Sequence, residues 1–144
     1  MKGIYFLGCL FLLSVIACNK SSQTKPVISV ESITQVVPVG GGFEALLKFT
    51  ESSGKLGQGT FAAIRHRLNQ QPLLSNEQQP DDFIMPIPAF PDKAKGELDF
   101  TLTWNNLHES DEENDTIVFK IAVTDRLGNV SDTIITPQVV ILYQ

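Results

Sequence analysis

The chain has 144 residues, a formal net charge of -5 and two cysteines, Cys9 and Cys18. Its acidity excludes a nucleic-acid binder with a basic face, since no basic cluster stands out beyond Arg65, His66 and Arg67, which read as a solvated stretch of strand. The length suits one domain with a core of its own.

Lys2 gives a positive start, and Ile4 to Ile16 is almost wholly apolar. That run falls short of the roughly 20 residues a bilayer span needs. Val15-Ile16-Ala17-Cys18 follows at its end and resembles the lipobox of bacterial lipoproteins. The resemblance implies diacylglyceryl transfer to the Cys18 sulfur and signal cleavage between Ala17 and Cys18. It makes 1–17 a lipoprotein signal peptide, 18–25 a lipidated cysteine with a flexible polar tether, and 26–144 the folded domain. Several acyl chains, at about 0.8 kcal/mol per buried methylene, anchor a protein durably. Cys9 leaves with the signal and Cys18 carries lipid, so no disulfide is expected, even in an oxidising compartment.

Beyond Pro26 the hydrophobic period is two, not 3.6. Val27 to Val39 is rich in β-branched residues and predicts a first strand. Gly40-Gly41-Gly42 turns the chain into a second, Phe43 to Thr50. After a glycine-rich loop, Ser53 to Gly59, comes Thr60 to Leu68, where Ala62, Ile64, His66 and Leu68 share one face, with His66 at the end of an inward face or emerging from it. Asn69 to Lys95 holds five prolines, so any strand there must be short and at an edge. Leu98, Phe100, Leu102 and Trp104 alternate with Asp99, Thr101 and Thr103, one face core and one wet. Ile117, Phe119, Ile121 and Val123 repeat the scheme. Val130 to Leu142 supplies a last strand broken near Pro137. These elements predict an all-β antiparallel sandwich of about seven strands.

The segment Phe119 to Ile134, with Asp125, Gly128 and Asn129 in its turn, resembles the closing hairpin of bacterial immunoglobulin-like domains. Together with the upstream segments it resembles small lipoproteins of the Bacteroidota carrying such a domain. The resemblance implies an immunoglobulin-like sandwich. Where these proteins often carry an acidic, glycine-spaced loop, Phe49 to Gly57 keeps only Glu51 and adds Lys55, so no metal site is implied there.

Candidate sites beyond Cys18 are few. Calcium needs several converging oxygen ligands, and Glu109, Asp111, Glu112, Glu113 and Asp115 form a dense acidic run, which Asp81, Asp82 and Asp92 could join in space. The run lacks EF-hand spacing and reads better as a solvated loop. Asp115-Thr116-Ile117 and Asp132-Thr133-Ile134 resemble the triplet that Bacteroidota use for periplasmic O-glycosylation, on Thr116 and Thr133, although Thr and Ile also favour strands.

No catalytic residue is assigned. His66 and His108, the only histidines, sit in no nucleophile or zinc motif, and nothing selects a carboxylate pair. The expectation is a noncatalytic envelope lipoprotein, held to a membrane by covalent lipid and serving as a protein-interaction or accessory module. A glycan-binding or calcium-binding surface module is the alternative, with Phe83, Phe90 and Trp104 as candidate contacts; each reads first as core or edge packing. Asn19 to Gln23 lacks acidic residues, unlike the surface-export signal of Bacteroidota, which favours the periplasmic side of the outer membrane.

Overall fold

The computed structural model describes residues 25–144. Ala17, Cys18 and the signal and tether up to residue 24 lie outside the described residues. Nine strands and one short helix follow in chain order: β1 (Val27–Ile33), β2 (Val36–Val37), β3 (Gly42–Thr50), β4 (Thr60–Arg67), β5 (Asp82–Pro86), β6 (Lys95–Thr103), α1 (Trp104–Leu107), β7 (Asp115–Thr124), β8 (Ile134–Ile135) and β9 (Val139–Ile141).

The strands form two sheets, in the orders β1-β3-β6 and β2-β9-β7-β4-β5, with β8 also paired to β7. An all-β sandwich is therefore what the chain builds. It departs from the expected plan in three ways. The apolar run Val27 to Val39 is two strands rather than one: β1 pairs with β3 in the small sheet and β2 with β9 in the large one. That switch closes one side of the sandwich with the chain itself. The β2–β9 pair is also parallel, the exception in otherwise antiparallel sheets. The strand count exceeds seven because short pieces such as β2 and β8 pair on their own, where sequence patterning sees continuations.

The core lies between the sheets. β7 buries Ile117, Phe119, Ile121 and Val123, and β3 buries Phe43, Ala45, Leu47 and Phe49. Phe100 of β6 sits at the centre, its ring 5.7 Å from Phe43, 4.9 Å from Phe61, 6.1 Å from Phe83 and 5.4 Å from Phe119. Such tilted and edge-on aromatic pairs add about 0.5–1.5 kcal/mol each beyond their burial. Leu98, Phe100 and Leu102 face this core as their alternation predicts, and Asp99, Thr101 and Thr103 face water. β5 is short and at an edge, and Pro86 ends it, as the prolines dictate.

In β4 the inward face is the opposite of the one expected. Phe61, Ala63 and Arg65 are buried, whereas Ile64, His66 and Leu68 are exposed and Ala62 is half-buried. Both faces of this strand carry apolar residues, so alternation alone ranks neither; pairing with β7 decides it, because Phe61, Ala63 and Arg65 lie opposite the buried Val123, Ile121 and Phe119.

The closing hairpin forms as its residues suggest. Asp125 Oδ1 accepts the Leu127 and Asn129 N–H groups at 2.9 and 2.8 Å, and Gly128 takes φ of 90°. The broken last strand resolves into β8 and β9 on either side of Pro137.

Candidate functional site

A cluster of buried ionisable side chains collects at one end of the sandwich, where β4 ends and β7 begins. β4 carries Arg65 and Arg67; α1 and the segment after it bring His108, Glu109 and Ser110; Asp115 opens β7. α1 is held by Thr103, whose N–H and hydroxyl both donate to the Asn106 side-chain oxygen. The Trp104 indole N–H donates to the Leu142 carbonyl at 2.7 Å, which ties α1 to the C-terminal segment.

Arg65 is fully buried and Glu109 nearly so, and their charged atoms are 2.7 Å apart. The same guanidinium reaches Asp81 at 3.1 Å and donates to the Gln79 carbonyl at 2.9 Å, with longer bonds to the Pro80, Asn106 and Leu107 carbonyls. Arg65 thus ties the 79–81 segment to α1 and the residues that follow it. Desolvation raises the Glu109 pKa above its ordinary value, against the Gln79 N–H and the Arg65 charge that favour ionisation.

A second centre lies beside it. The Arg67 Nε donates to Asp115 at 2.7 Å and its other nitrogens to Glu113 and to the Gln71 carbonyl. Burial opposes the charge on Arg67, but its hydrogen bonds to Asp115 and Glu113 outweigh burial and raise its pKa. The fully buried Asp115 also accepts the Glu109 and Ser110 N–H groups at 2.8 and 3.0 Å, so one carboxylate fixes both ends of the acidic loop.

These contacts correct two expectations. Arg65 is not in a solvated stretch but in the interior. The acidic run is not wholly a solvated loop: Glu109, Ser110 and Asp115 are buried, while Asp111 and Glu112 face solvent. The residues offered as calcium ligands each have a partner within the protein: Glu109 and Asp115 bind arginines, Glu113 binds Arg67, Asp111 approaches His108 at 3.0 Å, and Glu112 accepts from the Gln71 side-chain amide. Among the described residues no group of three or more His, Cys, Asp or Glu gathers as a metal site. Of the three aspartates that could have joined the run, only Asp81 does so. Asp82 is exposed in β5, and Asp92 pairs with Lys55 and Arg126 at the far end of the molecule.

His108 stacks on Trp104 with ring centroids 4.1 Å apart. Its Nδ1 is buried with no hydrogen-bond partner among the described residues, 4.0 Å from the Asp115 carboxylate. The stacking covers one face of Trp104, and Phe83 and Phe90 pack on Phe100 and Phe49. All three aromatics offered as contacts are half-buried packing residues. In the Phe49 to Gly57 loop the buried Glu51 accepts the Ser53 N–H, the Ser53 hydroxyl and the Lys55 N–H, so its carboxylate organises the turn directly. Of the two glycosylation candidates, Thr133 is exposed, whereas Thr116 lies half-buried in β7, its N–H held by Asn69 and its carbonyl by Leu68.

The sequence matches no protein-family model and no curated protein. Among solved structures the chain is similar to a cohesin module from a family 33 glycoside hydrolase of Clostridium perfringens, at 15% identity and a TM-score of 0.43, over 83% of this chain and 98% of that one. It is also similar to a β-glucosidase from Listeria innocua bound to gluconolactone, at 11% identity and a TM-score of 0.46. That likeness covers 81% of this chain but only 16% of the glucosidase.

What the sequence missed is the buried pairing of Arg65 with Glu109, two residues 44 apart in the chain. The available signal was an arginine at a position in register with the Phe61 and Ala63 face, which is meaningful only once β4 has been assigned its inward side.

Proposed function

We propose that this chain is a noncatalytic lipoprotein of the cell envelope, anchored through Cys18, whose sandwich serves as a protein-interaction module. The observation that carries the interaction reading is the outer face of the large sheet. Ile84, Ala62 and Ala122 lie side by side across β5, β4 and β7, and Ile64, Lys120 and Ile135 form the adjoining row. Ile84 is 67% exposed, Ile135 63% and Ile64 47%. Contiguous exposed apolar side chains on a rigid sheet are the usual mark of a protein-binding face. The noncatalytic reading is supported by the cluster around Arg65 and Arg67, where the buried carboxylates hold arginines and backbone N–H groups.

The anchor is tested by metabolic labelling with a fatty acid: label on the wild type and none on Cys18→Ser, with loss of that variant from the membrane fraction, is the expected result, and equal labelling overturns it. Protease treatment of intact cells tests the periplasmic face of the outer membrane, where the domain is expected to survive until the outer membrane is opened. For the interaction, crosslinked envelope complexes of the wild type are compared with those of Ile84→Glu. An adduct lost in the variant is expected; adducts unchanged by the substitution overturn this face, and retention on a glycan array in its place redirects the function to polysaccharide binding.

A further inference from the structure

Among the described residues, six of the lysines and arginines are ion-paired: Lys25, Lys48, Lys55, Arg65, Arg67 and Arg126. The others are Lys93, Lys95 and Lys120, and two of these three line a single groove of about 570 Å³ on the small sheet. Its walls include Lys48, Phe49, Lys93, Lys95 and Glu97. In an acidic protein, unneutralised positive charge gathered at one place is a selective feature.

The groove is organised rather than incidental. The Lys93 ammonium lies 5.0 Å from the Phe90 ring centroid and 5.8 Å from that of Phe49, and the two rings stack at 5.9 Å. Gly96 leaves the space for this arrangement: a Cβ there would stand 2.8 Å from the Lys93 Nζ and 2.9 Å from the Phe49 ring. Lys48 is paired with Glu31 at 2.8 Å, and Glu97 is the carboxylate on the wall, so three ammonium groups meet two acids and the excess charge rests on Lys93 and Lys95.

Its location points to the occupant. Val27, where β1 begins, is paired with Thr50, and Thr50 with Lys95. Two strand spacings, about 10 Å, separate the chain's entry into the fold from Lys95. The nine residue steps from Cys18 to Val27 reach at most about 30 Å when extended. The loop with Asp111 and Glu112 lies beyond the opposite end of β7, so an anionic surface repels that end and attracts this one.

We propose that the Lys93–Lys95 groove binds the phosphates of anionic lipid headgroups in the membrane that holds the tether, setting the domain upright with its acidic end outward. This inference rests on the anchor proposed above. The test uses the lipidated full chain reconstituted in vesicles of phosphatidylcholine alone or mixed with phosphatidylglycerol, footprinted by amine acetylation and mass spectrometry. At low salt Lys93 and Lys95 are expected to react about fivefold more slowly on the anionic vesicles, with protection lost in high salt and Lys120 unchanged. In Lys93→Gln, Lys95 is expected to lose part of its protection. Equal labelling on the two vesicle types, with the protein still floating with them, overturns the groove and leaves the anchor standing. Protection by inorganic phosphate on phosphatidylcholine vesicles, with none added by phosphatidylglycerol, overturns the headgroup source. Failure to float overturns the anchor and this inference together.

Discussion

The Arg65 guanidinium and the Glu109 carboxylate meet at 2.7 Å inside the molecule, with the two side chains 0% and 3% exposed. Removing one member of such a pair strands the other without water, at a cost of about 3–5 kcal/mol. Glu109→Ala is expected to lose stability of that order in urea unfolding. Glu109→Gln, which keeps an acceptor, should lose less. Replacing both residues by apolar ones is expected to recover little, because Arg65 also serves the Gln79, Pro80, Asn106 and Leu107 carbonyls.

Acid stability should carry the mark of Asp125. Desolvation pushes its pKa up, but hydrogen bonds from the Asn129 side chain and from the Asn129, Leu127 and Gly128 N–H groups win and hold it below 3.8, its ordinary value. The folded state therefore binds this proton less readily than the unfolded chain. The resulting stability is present above 3.8 and is lost as pH falls through the lower folded-state value. Glu109 runs the other way: its folded pKa is raised above 4.5, so its linkage contribution is present at lower pH and is lost as pH rises through the folded value. Melting temperature against pH should show a shallower acid limb in Asp125→Asn, and an unchanged limb would refute the assignment.

Two glycines should respond differently to alanine. A Cβ on Gly59 would stand 2.0 Å from the Thr124 carbonyl oxygen, so the backbone linking β4 to β7 must move. The expected loss is about 3 kcal/mol or more. Gly128 has open space around it but a φ of +90°, and its alanine variant should lose about 1–2 kcal/mol from backbone strain alone. Denaturant midpoints for the two variants check the order.

Sugar transferred to the folded protein is expected on Thr133 rather than Thr116, since only Thr133 is free of a central strand and exposed. Intact mass of protein from its native envelope should lose any hexose in Thr133→Val and keep it in Thr116→Val. The reverse pattern would place modification before folding.

Core strands were legible because their apolar residues alternate without competition. Ile117, Phe119, Ile121 and Val123 leave one reading of β7, and Leu98, Phe100 and Leu102 one reading of β6. β4 was ambiguous because Phe61 and Ala63 compete with Ala62 and Ile64, and a one-residue change of parity exchanges core for solvent. Trp104, Phe83 and Phe90 pack against the core because each continues or borders an apolar face.

By itself, then, the sequence determined that this chain alternates its way into a β-sandwich, where its main strands run and which residues of β6 and β7 face inward, but not which face of β4 does. Those are consequences of local periodicity, which neighbouring side chains enforce within a strand. Only the tertiary structure decided that Val27 to Val39 divides between two sheets, that Arg65 is interior, and that Glu109 supports Arg65 and Asp115 supports Arg67 rather than forming a solvated fringe. A buried charge is tolerated only where a partner waits, and that partner comes from a segment 44 residues away. Periodicity carries no information about such a distant pairing.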